Sequence, residues 1–220
     1  MTTQEPRRQE ERVAADDWPA RRDLHRRGFR LEGRLRQARA NGDGFVDELV
    51  YGRLAGEPAG AEGFTWVMNS VTPRKRLIAH ALVTDAAGRV LLCETNFKTD
   101  WELPGGIVEP GEAPRLACER EMVEEMGWSP AVGHVLVVDW LRPYKGWEDA
   151  LELVFSTGVV AGPDKGRLVA DGVEIRALHW VAGTDLDDVM TPFGAARARS
   201  ALAALASGRT LYTEAGLPVE

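Results

Sequence analysis

Residues 106–128, GIVEPGEAPRLACEREMVEEMGW, constrain the fold of this chain more than any other stretch. A glycine- and proline-rich loop, Leu103-Pro104-Gly105-Gly106, leads into it. The sequence predicts a helix from about Ala113 to Met126, closed by Gly127. On that helix Glu121, Glu124 and Glu125 stand at i, i+3 and i+4, so three carboxylates share one face. Leu116, Val123 and Met126 fall on the far side, where they are expected to pack on a sheet. Ala117, near the acidic face, leaves room for a loop to approach. Like charges at this spacing repel by a few tenths of a kcal/mol per pair on an exposed helix. Hard divalent cations would neutralise them, and oxygen-only ligands suit Mg²⁺ or Mn²⁺. Three such glutamates alone would more often be a solvated surface. The loop and the closing glycine at fixed spacing are what point to a site.

Around this segment the pattern is that of an α/β chain. Leu77–Thr84 and Arg89–Glu94 are apolar runs joined by the turn Asp85-Ala86-Ala87-Gly88, a hairpin signal. Val132–Leu141, Leu151–Val160 and Val173–Val181 are further expected strands. A last helix begins with Thr191 as N-cap and Pro192 at its first position, and stops at Gly208. A mixed sheet with helices packed on it follows, spanning residues 76–220. Residues 1–75 form an N-terminal extension of helix and strands. Its first 15 residues are polar and expected to be mobile. Asp17–Ala40 reads as an Arg-rich amphipathic helix broken near Gly28. Asn41-Gly42-Asp43-Gly44 is a turn, and Phe45–Leu54 and Phe64–Asn69 read as strands.

Composition narrows the partners. The net charge of −7 is uneven: residues 1–40 hold eleven Arg against seven Asp and Glu, +4, which leaves −11 on the rest. An acidic body disfavours nonspecific nucleic-acid binding but accepts a small polyanion once a divalent metal reverses the local sign. No stretch is long and apolar enough for a membrane helix, and MTTQEPRRQEER is charged where a signal peptide would be apolar, so the cytoplasm is the expected location. Cys93 and Cys118 read as small buried apolar side chains. His25, His80, His134 and His179 have no ligand spacing and read as structural.

The spacing Gly106, five residues, Glu112, seven residues, Arg120-Glu121-Met122, one residue, Glu124-Glu125, one residue, Gly127 and apolar Trp128 is a complete Nudix box. From about Arg76 to the end of the last helix the chain resembles the Nudix hydrolase superfamily. The resemblance implies an α/β/α sandwich around a mixed sheet, with metal-activated water splitting an X–diphosphate–nucleoside linkage. By the same resemblance, Glu124 and Glu125 are the main metal ligands, and Glu121 joins them or polarises the water. The Gly105 carbonyl is a further ligand, and Glu112 and Gly106 are supports. Arg120 would hold a neighbouring carboxylate in the catalytic set. Members add one carboxylate from outside the box. Glu174, six residues before Trp180, is the first choice, with Asp171, Glu148 and Glu152 as rivals; Glu152 reads equally as an outward-facing strand residue.

Substrate choice is less legible. Pro143 and Tyr144 occupy both positions that distinguish ADP-ribose members from dinucleoside polyphosphate members. Arg142, Lys145 and Trp147 are candidates to hold phosphate and stack on a base, as is Lys98 beside Phe97 and Trp101, although an ordinary loop and ordinary packing explain them equally well. The expected reaction is hydrolysis of a small nucleoside diphosphate-X substrate (ADP-ribose, a nucleotide sugar or a nucleoside triphosphate) with release of a monophosphate. Some relatives exchange N-terminal strands between subunits, and residues 45–70 would do so here in a homodimer. Two other readings exist: a nucleotide-sensing Nudix-like regulator without hydrolysis, and a prenyl diphosphate isomerase on the same scaffold. The intact box carboxylates oppose the first, and the arrangement of Cys and Glu opposes the second.

Overall fold

The computed structural model describes residues 7–219, and the chain divides into two compact units after Arg74. In the first, β1 (Arg8–Ala14), β2 (Arg30–Asn41) and β3 (Gly44–Leu54) form an antiparallel sheet in the order β1-β3-β2. Helices α1 (Trp18–Arg26) and α2 (Gly60–Val71) complete it. Asp17 caps α1 by accepting from the Ala20 N–H at 3.1 Å. Leu24, Phe29, Leu49 and Tyr51 form the small core.

Three expectations for this unit are corrected. Residues 8–14 are a strand rather than a mobile tail, paired with β3 along their whole length; residues 1–6 lie outside the described residues. Its largely polar sequence hides the strand, which is held by its ladder to β3 and by Val13 on the small core, with Arg12 paired to Glu48 across the strands. Residues 30–41 are β2, not the second half of a helix. Register shifts between Leu31 and Gly33 and between Leu35 and Arg39 interrupt the period-2 alternation that would have revealed it. Residues 64–69 lie in helix α2, not in a strand. Gly63 and Val67, one helical turn apart, are its buried face, and Ser70 Oγ accepts from the Leu31 N–H at 3.0 Å.

The second unit is built on one sheet. Its strands are β4 (Arg76–Asp85), β5 (Val90–Thr95), β6 (Gly105–Ile107), β7 (Val135–Leu141), β8 (Ala150–Val160), β9 (Ile175–Val181), β10 (Leu211–Glu214) and β11 (Leu217–Pro218). The order is β11-β10-β7-β8-β4-β5-β9, with β6 paired to β4. Parallel pairing of β4 with β8 and of β7 with β10 makes the sheet mixed. Helix α3 (Pro114–Met126) covers one face, a short α4 (Gly162–Lys165) follows β8, and α5 (Pro192–Ser207) covers the other face. Successive strand residues supply the two cores: Ala81 and Val83 face α3, while Leu82 faces α5. This is the expected α/β/α sandwich. The α5 caps are as read, with Thr191 accepting from Gly194 and Gly208 in the left-handed region at φ 67°. The short β10 and β11 were not expected.

Strand β4 divides its hydrogen bonding. It meets β5 at Thr84 opposite Val90, beside the hairpin turn, while its earlier residues pair with β6. The glycine loop before α3 is thereby a member of the sheet.

Candidate active site

The buried face of α3 is only partly the one expected: Met126 is buried as read. Leu116 and Val123 are exposed, whereas Ala117, Cys118, Met122 and Met126 are fully buried together with Glu125. Burying each methionine contributes about 1.5–3 kcal/mol. Glu125 is three residues from Met122 and adjacent to Met126, so the docking stripe carries an acid into the interface. The acidic and buried faces overlap; the sequence reading had opposed them.

The Gly105 loop receives that acid. Flanking bonds from Ala81 N–H to Pro104 O and from Val108 N–H to Leu77 O place His80 and Gly105 in a non-hydrogen-bonded pair of the ladder. Such a pair turns its peptide groups away from the partner strand. The Gly105 N–H accordingly donates to Glu125 Oε2 at 2.9 Å, and the Gly105 carbonyl stays outside the β4–β6 ladder. Glycine is required here. Gly105 has φ 126°, and a Cβ would lie 2.2 Å from the Ala79 carbonyl oxygen. At Gly106 a Cβ would meet Glu121 Oε1 at 2.7 Å, so the missing side chain is the space this carboxylate uses.

Arg120 organises the remaining acids. Its Nε and Nη2 donate to the two Glu112 oxygens at 3.0 and 3.1 Å, and Nη1 donates to Glu121 at 3.0 Å and Glu124 at 2.8 Å. Glu112 also accepts from the Glu109 N–H at 3.1 Å. The Arg120 bonds, with that N–H, hold the Glu112 pKa below the usual carboxylate range. Burial pushes Glu125 up to about 8 against the Gly105 bond and the nearby His80, with Glu121 and Glu102 adding repulsion. Burial also raises Glu121, opposed by Arg120 and reinforced by the charges of Glu124 and Glu174. Glu174 therefore lies within electrostatic reach of the box.

The rivals of Glu174 are placed differently. Asp171 accepts from the N–H groups of Val173, Glu174 and Ile175 at 2.8–3.2 Å, which commits its carboxylate to holding the turn before β9. Glu148 is exposed on the β7–β8 loop. Glu152 does not face outward: it is 2% exposed and bound to His80 and Arg197, so that reading is corrected.

Among the substrate candidates, Tyr144 and Trp147 exchange backbone hydrogen bonds across a two-residue turn with Lys145 at φ 48° and Gly146 at φ 87°. Arg142 is exposed, Lys145 lies over Tyr144, and the exposed Trp147 ring carries the Arg76 guanidinium at 4.2 Å. Tyr144 meets Phe193, at the start of α5, edge-on at 5.2 Å. Lys98 pairs with Glu102, Phe97 is exposed, and Trp101 stacks on His179 at 3.9 Å.

The family model described as NUDIX domain matches residues 74–205. The chain belongs to the Nudix family of pyrophosphohydrolases. A Bacillus subtilis Nudix relative, provisionally named as an 8-oxo-dGTP diphosphatase, is 34% identical over 114 residues, 52% of this chain and 71% of that protein. An RNA pyrophosphohydrolase of Roseobacter denitrificans is 31% identical over 106 residues, 42% of this chain and 66% of its own length. Among solved structures, a MutT NUDIX hydrolase from Burkholderia pseudomallei is 25% identical with TM-score 0.50, covering 60% of this chain and 99% of that one. A UDP-X diphosphatase is 19% identical with TM-score 0.53 over 71% of this chain and 76% of that one, a likeness of fold.

Nudix hydrolases generally use divalent metal ions. Among the described residues, no three His, Cys, Asp or Glu side chains already converge in metal-holding geometry. The Arg120 guanidinium pairs with both Glu121 and Glu124 and supplies positive charge beside them. The donor set fits a hard cation, being all oxygen. The Gly106 cradle that a Cβ would fill leaves Glu121 its room.

Sequence reasoning missed one group of residues. His80, Asp139, Glu152 and Arg197 form a buried ionic network. Part of its signal was available: His80, Asp139 and Glu152 are each a lone charged or titratable residue inside an apolar strand run, where burial demands a partner, whereas Arg197 shares its helix with Arg199.

Proposed function

We propose that this chain hydrolyses the diphosphate linkage of a nucleoside diphosphate-X compound with Mg²⁺ or Mn²⁺. Water adds at phosphorus and the P–O–P bond breaks. A nucleoside triphosphate would give a monophosphate and pyrophosphate, and ADP-ribose or a nucleotide sugar two monophosphates. The observation that carries this reading is the buried Glu125 carboxylate, fixed by the Gly105 N–H and crowded by Glu121. A carboxylate so placed is relieved by a cation.

A divalent ion bound at this edge would neutralise phosphate oxygens and lower the pKa of the attacking water. Glu121, Glu124, Glu125 and the Gly105 carbonyl are the groups that would hold it. Arg120, held by Glu112, links Glu121 and Glu124 through Nη1 and orients them, and Gly106 leaves Glu121 its room. Glu174 accepts the proton from water, its backbone fixed by the Asp171 turn. Lys98, Arg142 and Lys145 bind phosphate oxygens, and Trp147 offers a face to the base. The names of the relatives nominate oxidised deoxynucleoside triphosphates and nucleotide sugars as the first substrates to try, beside ADP-ribose.

The test is a product-resolved hydrolysis screen with Mg²⁺ or Mn²⁺, running wild type beside Glu124→Gln. Release of a monophosphate by wild type and a loss of about 10²-fold or more in the variant is expected. Nucleotide binding without cleavage by either protein would overturn the reading in favour of a sensor. A homodimer belongs to the same proposal, and a monomer at micromolar concentration by light scattering removes that part of it.

A further inference from the structure

The buried network behind the glycine loop ends on the loop itself. At its far end Asp139, on β7, is fully buried and accepts from Thr213 Oγ1 at 2.6 Å, from the Gly216 N–H at 2.8 Å and from Arg197 Nε at 2.8 Å. Arg197, on α5, passes the chain on through Nη1 to Glu152 Oε1 on β8 at 2.8 Å. The same oxygen lies 2.6 Å from His80 Nδ1 on β4. A carboxylate only accepts, so Nδ1 carries the proton and the ring orientation is set.

That orientation decides what the other edge of the ring meets. A Cβ on Gly105 would come within 2.8 Å of the His80 Cα and 3.0 Å of its Cδ2. In a non-hydrogen-bonded pair the two residues stand at their closest, so the imidazole edge forms the wall against which Gly105 rests. Gly105 in turn holds Glu125. All four network residues are at least nine-tenths buried. Burying alternating charges in a core gives little net stability compared with apolar packing. Their placement behind the site supplies a reason for keeping them.

We propose that His80 is a positioning residue for the Gly105 loop, clamped from behind by Glu152, Arg197 and Asp139, and that α5 thereby sets the placement of Glu125. The proposal rests on the reading of Gly105 and Glu125 as metal-holding groups only for its effect on metal affinity. Its effect on the loop is independent of metal.

Two variants separate the roles. His80→Ala removes both the anchor and the wall. His80→Asn keeps a donor near the Nδ1 position for Glu152 and removes the ring edge that faces Gly105. The first readout is amide hydrogen exchange at Gly105 in the metal-free full chain. Exchange faster by at least about tenfold is expected in both variants, as for a locally released bond. The second is Mn²⁺ affinity of the protein without substrate, expected to fall by about 10–100-fold, the usual effect of removing a group that orients a ligand. Wild-type exchange at Gly105 in either folded variant overturns the proposal. Loss of the fold in both assigns the network to stability and overturns it as well. Wild type that binds no Mn²⁺ while Gly105 exchange responds to the variants sinks the metal reading and leaves the positioning role supported.

Discussion

The Gly105 amide donates to the buried carboxylate of Glu125 across twenty residues of chain. This bond ties the glycine loop to the last turn of α3. It joins a backbone group at a position that tolerates no side chain to a carboxylate carried on the buried face of the helix.

The Glu125 carboxyl makes the metal-free protein sensitive to pH. Its folded pKa of about 8 lies above its ordinary 4.5. A carboxyl raised in this way contributes stability that is full below pH 4.5 and is lost as pH rises toward 8. Calorimetry of the metal-free chain should therefore give a Tm that falls across that window. Glu125→Gln should flatten the dependence, and Mg²⁺ added at pH 8 should restore several degrees to wild type alone.

The two glycines should fail in different ways. Gly105→Ala puts a Cβ against the Ala79 carbonyl at a positive φ, so it should destabilise by about 2 kcal/mol or more and lower the Tm clearly. Gly106→Ala meets only the end of the Glu121 side chain, which can swing aside. Its Tm should stay near wild type while kcat drops by about tenfold or more. Equal thermal loss in both variants would contradict this.

Arg197→Met should leave Asp139 and Glu152 as buried charges without their common partner. Removing one member of a buried pair costs about 3–5 kcal/mol. For a unit of this size that corresponds to a Tm lower by on the order of 10 °C. Denaturant midpoints should move in the same direction with an unchanged m-value.

Asp171→Ala removes the acceptor for three successive N–H groups leading into β9. If Glu174 takes the proton from water, kcat should fall several-fold with KM nearly constant, because the turn that aims Glu174 is loosened. Asp171→Asn, which keeps one oxygen, should recover most of the loss. An unchanged kcat in Asp171→Ala removes Glu174 from the mechanism.

The sandwich was legible because its signals are local. The α3 box, the Thr191 cap and the apolar runs of β4, β5 and β8 each specify an element without distant help. The N-terminal unit was not. β1 is polar over its first five residues and exists through its pairing with β3, and the irregular register of β2 breaks the alternation that identifies a strand. Residues 64–69 form a short apolar run whose period does not distinguish helix from strand. Within the site, spacing singled out Glu121, Glu124 and Glu125 but placed the buried face of α3 correctly only at Met126. It took Leu116 and Val123 for packing residues, where the interface uses Cys118 and Met122. The contact between His80 and Gly105 depends on register, which a single sequence does not carry.

The division of one edge of β4 between β5 and β6, while β8 holds the other edge, limits how this enzyme can move. A catalytic loop that is stitched into a sheet cannot swing open as a flap unless it first unzips part of β4. Under the proposed hydrolysis, admission of substrate and escape of product would fall to segments free of that ladder, such as residues 96–101 and the tight-turned tip at Lys145. Turnover limited by product escape would respond to changes in those segments, while the cleavage step would respond to changes around Gly105. Pre-steady-state measurements would then separate the two regions by which phase each one alters.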